Sequence, residues 1–131
     1  MRRFHINTGT GTDFVEITAS IQEIVTASGI KEGICYIFIP HTTAAIMLNE
    51  NADPSVIEDI TGQLAAIVPS RSAYRHAEGN SPAHIKACLI GSSQSIFIED
   101  GKLVLGTWQG IFFCEFDGPR TRTVMVKIIP E

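Results

Sequence analysis

The sequence predicts an α+β fold, a mostly antiparallel β-sheet or sandwich with two or three helices, built as a single domain over residues 1–131. Short apolar stretches with strand character outnumber the segments with helical periodicity. Neighbouring strand candidates are joined by short turn signals rather than by long crossovers. A chain of 131 residues is also long enough to bury one ordinary core. Strands joined as hairpins with few helices are typical of the α+β class.

The N-terminal quarter predicts strands followed by a helix. The segment from Phe14 to Ile17 is the first clear strand, and we expect the segment around residues 4–6 to pair ahead of it. Residues 20–23 have the spacing of a capping box, which predicts a helix that ends at Gly29.

An unbroken apolar stretch, Ile34 to Ile39, follows and is closed by Pro40. Such a stretch is typical of a strand buried on both faces. Further along, Asp53 before Pro54 predicts an N-cap and the first helical position of a helix that runs to about Ile67.

The C-terminal half again alternates strand and turn signals. Residues 81–82 can open a short helix that Gly91 stops, and the Asp100-Gly101 pair predicts a hairpin turn. The strands expected here lie at residues 96–98, 103–105, 111–116 and 124–128.

Composition excludes some classes of function. Only 18% of residues are charged and the net charge is −4, so no basic stripe exists to bind nucleic acid. A charged fraction this low also indicates surface hidden in an oligomer. No segment has the length of a membrane span, and the N-terminus lacks the apolar core of a signal peptide. Cys35, Cys88 and Cys114 are odd in number and lie in apolar sequence, which predicts free buried thiols in a cytoplasmic protein.

The run from His41 to Asp53 carries the densest polar signal. A core strand leads directly into it, which predicts polar groups delivered to the rim of a pocket. Asp53 is explained by helix capping. Asn49, Glu50 and Asn51 have no such structural role, and their position leaves both a functional site and a solvated loop open.

Three histidines lie in polar, turn-rich sequence: His41, His76 and His84. If they converge from separate elements, three imidazoles are the donor set of an open zinc or other divalent-metal site. The alternative for each is a half-buried ring with its hydrogen bonds satisfied. His5 is interpreted as a surface residue.

Glu115 interrupts an otherwise apolar strand. A period of two places it on the same face as Ile111 and Phe113, where a carboxylate must be paired or functional. Arg120 and Arg122 are both candidates for its partner.

Two smaller features are ambiguous. Trp108, beside Gln109, could be a core plug or a stacking surface for a flat ring. The turn that contains Ser92 and Ser93 could hold an anion through its amides and hydroxyls.

Together these segments resemble the YjbQ-like family, small proteins often labelled secondary thiamine-phosphate synthases. One departure is visible: Pro82 stands where many relatives carry an aspartate two residues before the second histidine, which removes a candidate ligand or base. The matching segments are 41–45, 49–54, 84–93, 106–110 and 114–120.

The resemblance implies an α+β homotrimer with polar motifs around a cleft near the subunit interface. It also implies a weak ability to join the phosphorylated thiazole and the aminopyrimidine diphosphate into thiamine phosphate. On this interpretation the catalytic candidates are His41, His84, Glu50 and Glu115. The candidates for ligand binding are Thr42, Asn49, Asn51, Asn80, Ser92, Ser93, Trp108, Gln109 and Arg120.

The expected cofactor is a divalent metal, zinc first, on His41, His76 and His84, with Glu50 or Glu115 nearby. The expected partners are further copies of the chain and a small phosphorylated ligand. The alternative is a non-enzymatic trimer that binds a small ligand or a metal.

Overall fold

A computed structural model describes residues 1–131 and contains three helices and eight strands. Every strand pair is antiparallel, which confirms the predicted α+β class. The elements in chain order are β1 (Arg2–Asn7), β2 (Gly11–Glu16), α1 (Thr18–Ser28), β3 (Gly33–Phe38), β4 (Ala44–Glu50), α2 (Pro54–Ile67), α3 (Ser81–Ile90), β5 (Ser93–Glu99), β6 (Lys102–Leu103), β7 (Gln109–Gly118) and β8 (Thr121–Pro130).

The strands form two sheets that pack as layers. The larger sheet has the order β1-β8-β3-β5-β6, and the smaller has the order β2-β7-β4. The main core lies between them with α1 and includes Ile37, Ile46, Ile96, Phe113 and Val124. A second core, between the smaller sheet and helices α2 and α3, includes Met47, Leu64, Ala87, Phe112 and Phe116.

The ends of α2 and α1 show how well local sequence signals predict where a helix begins and ends. At α2 the Asp53 carboxylate accepts a hydrogen bond from Ser55 N at 3.0 Å, which confirms the predicted cap. The capping box expected at Ser20 was wrong, because α1 already begins at Thr18 and has no side-chain cap. Gly29 ends α1 with a φ of 70°, as expected, because glycine adopts this left-handed backbone without strain.

The two N-terminal strands do not pair with each other as expected. Phe4 of β1 lies opposite Val124 of β8, and Phe14 of β2 lies opposite Cys114 of β7. The β7–β8 hairpin passes from one sheet to the other, and each N-terminal strand follows one of its arms. Long-range pairing of this kind leaves no local signal.

Burial of the strands also differs from expectation. Strand β3 buries Cys35 and Ile37 on one face only, while Tyr36 and Phe38 on the other face are each 46% exposed. The strand buried on both faces is β7, because it is central in the smaller sheet and lies between the two cores.

Strand β4 was not predicted. Its apolar residues, 44–48, stand between polar residues at 41–43 and 49–51, and the whole run was interpreted as the rim of a pocket. Five consecutive apolar residues were the available signal for a strand.

All three cysteines are free, but only two are buried. Cys88 is exposed on α3, so the expectation of a buried thiol was wrong there. Burial raises the pKa of Cys35 to about 11, which keeps it as an unreactive thiol at neutral pH. None of the three helices has the length and apolar character that a membrane span requires.

Candidate functional site

A polar cleft of about 620 Å³ opens where β3 ends, beside the start of α3 and the β7–β8 turn. It brings together seven of the residues predicted from sequence and a further group that was not predicted as ligand-binding. The first group is His41, Thr42, His76, Asn80, His84, Ser92 and Arg120, and the second includes Thr43, Glu78 and Arg122.

His41 is held by the main chain of β8. The ladder between β3 and β8 ends at the pair Phe38 and Met125, so the next N–H of β8 on the side of β3, that of Thr123, has no partner in β3. Thr123 N donates this hydrogen to His41 Nε2 at 2.9 Å. Because Nε2 is the acceptor, a neutral His41 carries its proton on Nδ1. Burial and the positive charge of Arg122 lower the pKa of His41 below 6.5, so the ring is neutral at pH 7.

His76 and His84 both line the cleft, and their rings lie next to each other. Their ring centroids are 5.1 Å apart and the rings are nearly perpendicular, at 89°. Two imidazoles that share a tetrahedral zinc through bonds of about 2 Å have centroids about 5 Å apart. The structure contains no group of three or more His, Cys, Asp and Glu side chains placed to hold a metal ion.

Glu115 is fully buried and pairs with Arg122 rather than Arg120. Its Oε1 accepts from Thr8 Oγ1 at 2.6 Å and Arg122 Nε at 2.7 Å. Its Oε2 accepts from Arg122 Nη2 and from Asp117 N. Burial acts to raise the pKa of this carboxyl, but the hydrogen bonds from Arg122 and Thr8 hold it below the usual value. The expected role of Glu115 as a base is therefore corrected, because both oxygens are already bonded.

Arg122 connects this buried pair to the cleft. Its side chain is 6% exposed, and its Nη2 also donates to Thr43 Oγ1 at 2.7 Å. Its Nη1 makes no hydrogen bond within the chain. Asn80 Oδ1 is the only buried side-chain polar atom that lacks a hydrogen bond, so the unbonded Nη1 of Arg122 is not fully buried. Because Arg122 lines the cleft, Nη1 is accessible from it.

Asp117 positions two further groups at the cleft. Its Oδ2 accepts from Asn80 Nδ2 at 2.8 Å and from Arg120 Nη2 at 2.9 Å. Burial acts to raise the pKa of Asp117, but the hydrogen bonds from Asn80 and Arg120 hold it below 3.8. An ionised Asp117 only accepts, so the amide nitrogen of Asn80 must face it.

The remaining predicted residues lie elsewhere. Strands β4 and β7 pair from Ala44 opposite Glu115 to Glu50 opposite Gln109, so the far end is about 20 Å from the near end. That far end holds Asn49, Glu50, Asn51, Trp108 and Gln109.

Within one chain these residues do not contribute to the histidine cleft. Trp108 is 63% exposed, which excludes the core-plug alternative. The Glu50 carboxylate accepts from Asp53 N at 3.2 Å, so within one chain it supports the start of α2 and lies away from His41. Ser93 begins β5 opposite Phe38 and does not line the cleft.

Arg122 was predicted only as a possible partner of Glu115 and not as a residue of the cleft. It shares the inward face of β8 with Val124 and Val126, and an arginine in that alternation was the available signal of a buried charge.

The fold and the cleft define a small antiparallel α+β sandwich with a polar cleft, lined by histidine and arginine side chains, where strand β3 ends. Residues 2–131 match the family described as UPF0047 protein YjbQ-like, and the chain belongs to this family.

Relatives resemble the chain over nearly its whole length. A UPF0047 protein of Methanocaldococcus jannaschii is 53% identical over 127 residues, which cover 97% of this chain and 92% of the relative. The UPF0047 protein YugU of Bacillus subtilis is 43% identical over 130 residues, with 98% of each chain covered.

Solved structures resemble it equally well. An uncharacterized YjbQ/UPF0047 family protein from Clostridium acetobutylicum has a TM-score of 0.97 and 53% identity, with coverage of 98% of this chain and 100% of that one. A YbjQ-like protein of unknown function from Sulfolobus solfataricus has a TM-score of 0.95 and 38% identity, with coverage of 99% and 96%.

Proposed function

We propose that the cleft binds the phosphate or diphosphate group of a small molecule and supports a thiamine-phosphate synthase-like coupling. The observation that carries this proposal is the lining of the cleft, where two guanidinium groups and three imidazoles meet hydroxyl groups. Glu78 is the only carboxylate that lines it. Glu115 and Asp117 pair with the two guanidinium groups, so the support comes from the N–H and O–H donors that line the cleft and suit an anionic ligand.

The proposed reaction displaces diphosphate from the methylene carbon of an aminopyrimidine. The thiazole nitrogen forms the new C–N bond as the C–O bond to diphosphate breaks, and the electron pair leaves with the diphosphate. No protein nucleophile is required. Arg120 and Arg122 would donate hydrogen bonds to the leaving group, and His84 would help to orient it.

A divalent metal, zinc first, is part of the proposal. The spacing of His76 and His84 suits two ligands of one ion. His41, expected as the third ligand, uses Nε2 for the Thr123 hydrogen bond and could join only by giving that bond up. Elemental analysis of untagged protein, before and after chelation, tests for the ion. Loss of zinc from a His76→Ala variant, with retention in a His5→Ala control, is the expected result.

A homotrimer is also proposed. The outer face of the larger sheet is uncovered in one chain, and its exposed apolar side chains include Tyr36, Phe38, Phe97 and Ile129. Phe97 alone is 69% exposed. Exposed apolar patches of this kind mark contact surfaces. Phe38 also lines the cleft, so a neighbouring copy on this face would border the site.

One observation favours the non-enzymatic alternative. Trp108, the aromatic surface expected to stack on a substrate ring, lies at the far end of the smaller sheet, and Glu115 is engaged in an ion pair. A single chain therefore offers groups for binding an anion, but neither the tryptophan nor the free carboxylate that the coupling was expected to use lies beside them.

The two candidates differ in turnover. Purified protein is incubated with both phosphorylated precursors, and thiamine phosphate is measured with zinc, with magnesium and with chelator. We expect a His41→Leu/His84→Leu variant to lose most of the rate while it remains folded, and a His5→Leu control to keep it. Equal product formation by the wild type and the double variant would contradict the proposed synthase activity. Diphosphate binding without turnover would support the non-enzymatic ligand-binding protein.

A further inference from the structure

We propose that Nη1 of Arg122 and the Nδ1–H of His41 form the oxyanion-binding pair of the cleft, positioned by Glu115 and by the main-chain N–H of Thr123. This inference rests on the proposed function and assigns the phosphate-binding atoms within it. It also assigns His41 to the anion as a hydrogen-bond donor rather than to a metal as a ligand.

Arg122 is the first half of the pair. Its guanidinium is held on two sides, by both oxygens of Glu115 and by Thr43, which leaves only Nη1 free. A guanidinium fixed in this way loses little freedom when it binds, because its orientation is already set. Since Glu115 cancels its charge, Arg122 recognises a ligand mainly through directed hydrogen bonds from Nη1.

His41 is the second half. A main-chain N–H can only donate, so the bond from Thr123 N requires a lone pair on His41 Nε2. The neutral ring therefore presents an N–H at Nδ1. Nδ1 has no hydrogen-bond partner within the chain. It is also not fully buried, because Asn80 Oδ1 is the only buried side-chain polar atom that lacks a hydrogen bond.

The two possible ligands of Nδ1 differ in what they require. A phosphate oxygen accepts the Nδ1 hydrogen and leaves the ring neutral. A metal ion at the same atom would displace that hydrogen while Nε2 still accepts from Thr123, which demands an anionic ring or a broken hydrogen bond. The observed contact thus favours an anion at His41 and leaves His76 and His84 for any metal.

The tautomer can be measured directly. Nitrogen-15 NMR of the histidine side chains, at pH 7.5 with chelator, is expected to show His41 as the Nδ1–H form. Addition of inorganic diphosphate should shift the His41 Nδ1 signal. A His41 in the Nε2–H form, or a His41 signal unmoved by bound diphosphate, would overturn the inference.

Binding of inorganic diphosphate, followed by calorimetry with chelator, separates the roles. His41→Leu should weaken binding about tenfold, the effect of one lost hydrogen bond to a charged group. His41→Asn should bind within about threefold of the wild type, because its amide N–H lies close to the position of Nδ1. Arg71→Ala, at an exposed position outside the cleft lining, is the control and should bind as the wild type does.

A substitution at Arg122 gives an independent test. Arg122→Lys keeps the positive charge but lacks the second nitrogen that points to the cleft, so a loss of about tenfold or more is expected. Thermal unfolding of each variant shows that it is folded. If the wild type binds diphosphate and the folded His41→Leu and Arg122→Lys proteins bind it equally well, the inference fails while the proposed function stands. If the wild type does not bind diphosphate with or without metal, both fail.

Discussion

Glu115 and Arg122 form an ion pair joined by two hydrogen bonds, with side chains 0% and 6% exposed. The carboxylate belongs to β7 and the guanidinium to β8, so the pair joins the two arms of the hairpin that passes between the sheets. Removal of one member of a buried pair leaves the other without a counter-charge, at a cost of about 3–5 kcal/mol.

We therefore expect Glu115→Ala to lower the free energy of unfolding by about 3–5 kcal/mol. Urea denaturation followed by circular dichroism measures it. Glu99→Ala, an exposed glutamate on β5, is the matched control and should change stability by no more than about 0.5 kcal/mol. A loss below about 1 kcal/mol for Glu115→Ala would show that the pair contributes little.

The second prediction concerns the pH dependence of stability through His41. Burial, together with Arg122, lowers the pKa of His41 in the folded protein below 6.5. Below pH 6.5 His41 is protonated in the unfolded chain but still neutral in the folded protein. The free energy of unfolding therefore falls as the pH drops from 6.5 towards the pKa of the folded protein.

A His41→Asn variant lacks this contribution, and its unfolding free energy should depend less steeply on pH in that window. Urea unfolding at a series of pH values between 7.5 and about 5.5 gives the two slopes. Because the other histidines are common to both proteins, the difference isolates His41. Parallel slopes would contradict the assignment.

The third prediction concerns Arg120 at the mouth of the cleft. Its guanidinium is held by Asp117 but is largely exposed, so it can reach an anion entering the site. Arg120→Ala should weaken diphosphate binding about tenfold and reduce its dependence on salt. Arg71→Ala removes an exposed arginine outside the cleft lining and is the control. Equal effects of both variants would indicate a general charge effect instead of a specific contact.

The fourth prediction concerns the outer face of the larger sheet. Phe97→Glu places a charge on the exposed apolar patch and should convert the proposed trimer to monomers of 14.3 kDa. Light scattering at micromolar concentration reports the mass. Ile67→Glu is the matched control, since Ile67 is 58% exposed on α2 and lies away from this face. A wild-type mass equal to that of one chain would contradict the proposed trimer.

Local signals in the sequence predicted several elements well. Asp53 and Pro54 set the start of α2, and the Asp100-Gly101 turn joins β5 to β6, because each signal acts over a few residues. The partners of β1 and β2 were not predictable in the same way, since both lie near the opposite end of the chain.

The candidate site was predictable only in part. His41 follows the end of β3, His76 lies in the loop before α3, and His84 lies in the first turn of α3, and all three line one cleft. Glu50 was placed with them because β4 was missed, and this strand of seven residues carries Glu50 to the far end of the smaller sheet, where Trp108 precedes β7. The choice between Arg120 and Arg122 as the partner of Glu115 depends on where β8 begins and on which of its residues face inward. That is a matter of register, which the sequence left open.

The group that sets the protonation of His41 belongs to the backbone of residue 123 and not to its side chain. Nineteen of the twenty amino acids supply the same N–H at that position, so drift at residue 123 among relatives would leave the proton of His41 where it is. Proline is the exception, since it has no N–H to donate. The tautomer of this histidine thus depends on the path of the backbone, and it is kept wherever the register of β8 is kept and residue 123 is not proline.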